Sequence, residues 1–341
     1  MTLNHLQKNP GLSGKSIRHA TITLIGLLVF FGTIGSAVAL TATGTASTAG
    51  AQTPEHPLRS TLERAGAQCG VPATTLLPEP PAVAAQRLPH SQVVHGDKNI
   101  RWVWLGSPTT RYDHAALGSN VLAGSLHALV VNGAGLAREV VYRLPGNRVF
   151  EDLVPRLVDL DGDGRDEIML VESDVTQGSA LVVLSVPHAD QDWTVMARSP
   201  FAGTAFRWLN PVGMADFDGD GHEDIASVTT PHIGGVLTLY HFRPPQLVPY
   251  ARWRDVSNHR YGQQEQQLAV IVAQPDKRAV VIVPTLQYGA LQAVHWTPAG
   301  RFETLTEPYR LAAQVRRMTP LPDGGCLLLD DASWWRVRLV S

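Results

Sequence analysis

The sequence predicts an all-β chain of repeated four-stranded units, and three observations support this. Short runs rich in valine, isoleucine, leucine and aromatic residues recur from about residue 99, with turn-forming residues between them. Glycine (30 residues) and proline (24 residues) are frequent, and no stretch after residue 90 sustains a helical period. Two acidic segments, 159–167 and 216–224, are near copies of each other, which indicates an array of similar units.

The N-terminal part of the chain predicts export. Residues 1–19 carry three basic residues and no acidic one, so we expect a cytoplasmic basic N-terminus. Residues 20–41 are uncharged and mostly apolar, and they are long enough for a helix that crosses a bilayer. They form either a retained transmembrane anchor or a signal sequence cleaved at a small-residue site. The first alternative predicts an inner-membrane protein with an exported (periplasmic or extracellular) domain, and the second predicts a secreted protein.

Residues 42–98 predict a linker, because they are rich in small residues and proline. Within this linker, residues 58–68 have the composition of a short helix. The chain has two cysteines, Cys69 and Cys326. In an exported protein they could form a disulfide, and two unrelated free thiols are the equal alternative.

Residues 99–341 predict a β-propeller. Each acidic loop is followed by three β-type runs, and Trp193 and Tyr250 occupy equivalent places 57 residues apart. With the run before the loop, each unit has four strands, which fits the blades of a propeller. We expect about five blades, with a range of four to seven, and the run Ile100–Leu105 completing a last partial unit at 314–341. A stacked β-solenoid is the rival fold, but its repeats are usually shorter.

The predicted strands are, in order, Ile100–Leu105, Leu126–Val131, Glu139–Leu144, Ile168–Glu172, Ala180–Val186, Thr194–Ala197, Ile225–Thr229, Val236–Phe242, Leu268–Ala273, Ala279–Pro284, Leu291–Thr297, Cys326–Leu329 and Trp335–Val340.

The two acidic loops predict two Ca²⁺ sites. Both have the pattern D-x-D-G-D-G-x-x-[DE]-I, in which alternate carboxylates and a backbone carbonyl turn hard oxygen ligands toward a cation. A helix–loop–helix calcium hand is excluded, because position 12 is Leu170 or Ser227 and the flanking residues are β-like. Acidic surface turns without metal are the remaining alternative. The predicted ligands are Asp159, Asp161, Asp163, the Arg165 carbonyl and Glu167 in the first loop, and Asp216, Asp218, Asp220, the His222 carbonyl and Asp224 in the second.

These loops and the strands around them resemble FG-GAP/VCBS-type repeats, the calcium-loop blades of integrin α-subunit propellers and of many bacterial exported proteins. The resemblance is specific over about 155–245. It implies a propeller that holds Ca²⁺ between the first two strands of a blade.

The sequence favours a non-catalytic binding or scaffold protein that displays one propeller face to a protein or carbohydrate partner. No catalytic motif accompanies the metal loops. The formal charge of −2 argues against a nucleic-acid partner, and contact with the membrane is expected only through residues 20–41. Because resembling repeats also occur in lyases and phospholipases, an extracytoplasmic enzyme is the alternative.

Overall fold

The computed structural model describes residues 59–70, 87–132, 134–274 and 277–340. The regular secondary structure of these residues is β-strand, apart from a single turn of 3-10 helix at Ala67–Gly70. The strands are β1 Arg59–Ala65, β2 Val94–His95, β3 Ile100–Thr109, β4 Leu122–Val131, β5 Ala137–Arg143, β6 Arg148–Phe150, β7 Arg156–Val158, β8 Glu167–Asp174, β9 Gly178–Ser185, β10 Thr194–Arg198, β11 Leu209–Ala215, β12 Asp224–Thr229, β13 Val236–Arg243, β14 Gln246–Arg254, β15 Val270–Gln274, β16 Lys277–Pro284, β17 Ala290–Trp296, β18 Phe302–Thr304, β19 Tyr309–Arg310, β20 Val315–Leu321, β21 Gly324–Leu329 and β22 Trp334–Val340.

Antiparallel pairing groups 20 of the 22 strands into five units of four, and the short strands β6 and β19 are additional to these units. The first four units each take consecutive strands: β2 to β5, β7 to β10, β11 to β14, and β15 to β18. The short strand β6 bridges β4 and β8, and β10 touches β14 through one parallel pair, so the first three units share one sheet. The all-β prediction is therefore confirmed for the described residues.

The fifth unit combines the two ends of the described chain. It has the order β20, β21, β22 and β1, and β1 pairs along its whole length with β22, from Arg59 opposite Val340 to Ala65 opposite Trp334. The predicted short helix at 58–68 is therefore wrong, and so is the expectation that Ile100–Leu105 completes this unit. Both errors have one cause, because pairing with the open edge of β22 outweighs the local helix propensity of Leu62 and its neighbours.

A disulfide joins Cys69 to Cys326. It ties the turn that follows β1 to β21, the second strand of the same unit. Of the two alternatives that the sequence left open, the structure shows the bonded one. The bond spans 257 residues of sequence, so it holds the two ends of the described chain in one sheet.

Apolar side chains fill the spaces between neighbouring units. One core cluster joins the third unit to the fourth, with Leu239 and Val281 among its buried members, and another joins the fourth to the fifth, with Ile282 and Leu327. Every residue of β8 and β9 is buried, so both faces of that unit are covered. Strands covered on both faces read as continuous apolar runs, as the sequence does at 168–171 of β8 and 180–184 of β9.

The predicted N-terminus, the segment at 20–41 and much of the linker up to 98 lie outside the described residues. Within the described ranges, no helix has the length and apolar character needed to cross a membrane.

Candidate metal centre

The first acidic loop connects β7 to β8 and is shaped by its own aspartates. The Asp159 carboxylate accepts a hydrogen bond from the Gly164 amide (3.0 Å), and Asp161 accepts one from the Asp163 amide (3.2 Å). Gly162 and Gly164 have φ of 74° and 83°, a left-handed conformation that glycine adopts without steric cost. The loop can therefore fold back on itself and turn its carboxylates to one side.

The second acidic loop, between β11 and β12, repeats this conformation. Asp216 accepts from the Gly221 amide (2.9 Å) and Asp218 from the Asp220 amide (3.1 Å). Gly219 and Gly221 have φ of 78° and 83°. The sequence repeat is thus also a repeat of backbone structure, placed in both units between the first and second strand.

Carboxylate oxygens converge in both loops. In the first loop, one ligand atom from each of Asp159, Asp161 and Glu167 lies within 4.8 Å of the others. In the second loop, the same holds for Asp216, Asp218 and Asp220. These are the side-chain oxygens that the sequence predicts as ligands, and such a set suits a hard cation.

Two predicted carboxylate ligands do not belong to these groups of three. Asp163 is paired with the Arg165 guanidinium at 2.5 Å. Asp224 belongs to a further group, which it forms with Asp218 and His241. The carbonyl oxygens of Arg165 and His222 remain predicted ligands.

Burial and charge make Glu167 costly to ionise. Its side chain begins β8, is 1% exposed and accepts a hydrogen bond from the Leu160 amide (2.9 Å). Burial first, and then the charges of the nearby aspartates, raise the pKa of Glu167 to about 7. A cation among these oxygens would offset the repulsion.

Lys98 contacts the first loop, and the sequence did not predict this contact. Its ammonium lies 2.8 Å from Asp159 and 3.4 Å from Asp166. The hydrogen bond raises the pKa of Lys98 and lowers the pKa of Asp159. Lys98 comes from the turn between β2 and β3 of the preceding unit, so no local pattern around the loop could have indicated it.

Two side chains from the neighbouring strands form hydrogen bonds with Asp224, at the end of the second loop. Asp224 is 1% exposed and accepts hydrogen bonds from His241 Nδ1 (3.0 Å) and the Tyr250 hydroxyl (2.7 Å), while the two aromatic rings stack with centroids 4.0 Å apart. Burial raises the pKa of Asp224, and these hydrogen bonds oppose the rise. His241 is the cross-strand partner of Asp224, so the strand register is the signal that would have found it.

One further observation indicates that the oxygen ligands of the first loop suit Ca²⁺. Asp159 Oδ1 is buried and has no hydrogen-bond partner among the described residues. An unsatisfied buried carboxylate oxygen is costly, and a cation coordinated by Asp159, Asp161 and Glu167 would satisfy it. These oxygens therefore suit a cation, which would hold the backbone of the loop in place.

Comparison with known proteins agrees with this geometry. The model of the FG-GAP-like repeat family matches residues 159–227, a span that includes both loops. Residues 159–227 are thus similar to an FG-GAP-like repeat, as the sequence indicated. No curated protein matches the chain.

Proposed function

We propose that this chain is an exported, calcium-stabilised β-propeller of five blades that binds a protein or carbohydrate partner without transforming it. The observation that carries the proposal is the convergence of carboxylate oxygens within 4.8 Å in each of two structurally repeated loops. Ca²⁺ at these loops would hold the first two strands of two blades together and would leave the opposite loops free to recognise a partner.

The five-bladed architecture is supported by the strand pairing. Five four-stranded antiparallel units follow one another, and a strand from the beginning of the described chain completes the last of them. Such an exchange between the chain's ends is an effective way to close a ring of blades, because it couples the first and last units. The five units correspond to the number of blades, about five, that we expect from the sequence.

Single substitutions in each loop test the calcium sites. Asp161→Ala and Asp218→Ala should each remove one of two bound Ca²⁺ ions and leave the other, because the loops lie in different units and share no ligand. The affinity at the altered site should fall at least about tenfold, since a charged ligand is lost. Isothermal titration gives the stoichiometry, and Asp190→Ala, an acid outside both loops, is the control. Loss of both ions in either variant would refute two independent sites.

Export is the second part of the proposal, and it rests on the basic start of the chain and the apolar residues 20–41. A reporter enzyme that is active only outside the cytoplasm should be active when fused after residue 341. Carbonate extraction separates the anchored from the secreted form. An inactive but stably produced fusion would refute export.

A catalytic alternative has one observation in its favour. His114 Nδ1 lies 2.6 Å from Glu151 Oε1, and the other Glu151 oxygen accepts from the Ser173 hydroxyl (2.6 Å). A carboxylate behind an imidazole is the arrangement that orients a general base. However, the side chains of His114 and Glu151 are only 9% and 0% exposed, which favours a structural role. Polysaccharide or phospholipid turnover that His114→Gln abolishes at an unchanged melting temperature would establish the enzyme.

A further inference from the structure

A large cavity is lined by residues outside the two acidic loops. Its volume is about 940 Å³, at the upper end of the range for small-molecule sites. It is lined by residues 260–265 of the connection between β14 and β15, by residues 316 and 317 of β20, and by residues near the end of β21. Gly118, between β3 and β4, also lines it, so four separate chain segments meet around one space.

A β-bulge directs two consecutive arginines toward this cavity. In a regular strand, Arg316 and Arg317 would point to opposite faces of the sheet. The register of β20 against β21 shifts between Val315, opposite Leu329, and Arg317, opposite Leu328. An extra residue in one strand re-aims its side chain, and as a result both arginines line the cavity.

The charges around the cavity leave an excess of positive charge. Glu265 is already occupied, because it accepts from Arg317 Nε (2.5 Å) and from the Gln267 amide (3.0 Å). Asp330 is likewise paired with Arg260 at 2.9 Å. Arg316 is exposed and has no acidic partner in the described part of the chain. The positive charge of Arg316 is therefore not neutralised by an acidic residue of the described chain. The side chain of Arg317 is 57% exposed, so its Nη atoms remain available to a ligand.

One wall of the cavity is aromatic. The Tyr261 ring packs edge-on against His232, with centroids 5.2 Å apart at an interplanar angle of 89°. Tyr261 nevertheless stays 57% exposed. An exposed aromatic side chain beside a cation offers a surface on which a ligand ring can pack.

We propose that this cavity is a binding site for a ring-bearing anion, whose carboxylate or phosphate pairs with Arg316 and Arg317 while its ring lies on Tyr261. Arginine suits both groups, because its planar fork of N–H donors matches their oxygens. The site is distinct from the metal loops, so it stands whether or not those loops bind Ca²⁺. It supplies a specific recognition surface that is separate from the two acidic loops.

Three sugars that share the same pyranose ring test the proposal by isothermal titration of the purified chain in calcium-containing buffer. Glucuronate carries a carboxylate, glucose 6-phosphate carries a phosphate, and glucose carries neither. At least one anion should bind about tenfold or more tightly than glucose, and which one binds identifies the anionic group. Arg316→Gln should remove this preference, and it should not unfold the protein because Arg316 has no acidic partner to lose.

The matched control is Arg301→Gln, an exposed arginine (70% side-chain exposure) that does not line the cavity. It should keep the wild-type affinity, whereas Tyr261→Ala should weaken all three sugars alike. The proposal is overturned if neither anion binds more tightly than glucose. It is also overturned if Arg316→Gln binds the anion as the wild type does, which would place the anion at the metal loops or elsewhere.

Discussion

Deletion of residues 59–70 is expected to lower the free energy of unfolding by at least about 5 kcal/mol, enough to prevent folding of a marginally stable domain. The deletion removes β1, which pairs with β22 over its full length. It also removes Cys69 and thus a disulfide that closes a loop of 257 residues. In the chain-entropy model, a closed loop of that length alone accounts for a loss near this size.

Two variants separate the strand from the bond. Replacing both cysteines by serine removes the disulfide and keeps β1. The stability of this double variant should lie between those of the wild type and the deletion. An equally long deletion of residues 42–53, in the predicted linker, should leave stability unchanged. Urea unfolding measures all four proteins. If the deletion of 59–70 were as stable as the wild type, β1 would not be part of the fold.

Glu172→Leu is expected to destabilise the fold by about 3 kcal/mol or more. The carboxylate of Glu172 is fully buried in β8 and accepts from Arg148 of β6 (2.8 Å) and Arg198 of β10 (2.8 Å). Without it, two mostly buried arginines lose a shared counter-charge. Because β8 directly follows the first acidic loop, this ion-pair network also fixes the strand that carries Glu167.

A surface pair provides the control for this prediction. Glu63→Gln breaks the contact of Glu63 with Arg338 (3.5 Å), in which the side chains are 54% and 40% exposed. Exposed pairs contribute at most about 1 kcal/mol, so this variant should unfold close to the wild-type urea concentration. Equal effects of the two substitutions would mean that the buried ion pairs of Glu172 stabilise the fold no more than an exposed ion pair does.

The sequence was informative where structure is determined locally. The aspartates and glycines of each loop are close in sequence, and their spacing alone specifies the turn and the convergence of Asp159 and Asp161. Thirteen of the 22 strands were predicted from apolar runs between turn residues, because such runs reflect burial within each unit. The repeat then extended this reading from one unit to the next.

What the sequence did not reveal depends on contacts between distant segments. Residues 59–65 contain good helix formers, and only the open edge of β22 makes them a strand. Lys98 reaches Asp159 from the preceding unit, and His241 reaches Asp224 across a strand pair. The bulge that aims Arg316 into the cavity likewise arises from pairing with β21. Each of these features follows from register or packing rather than from local composition.

A calcium titration of the EGTA-treated chain tests the central claim most directly. Isothermal titration should show two Ca²⁺ ions bound per chain, and millimolar Ca²⁺ should raise the melting temperature because the ion binds the folded loops in preference to the unfolded chain. Mg²⁺ at the same concentration should produce a smaller shift, since the loops favour the larger, more flexibly coordinated ion. No heat of binding and no shift in melting temperature would contradict the account.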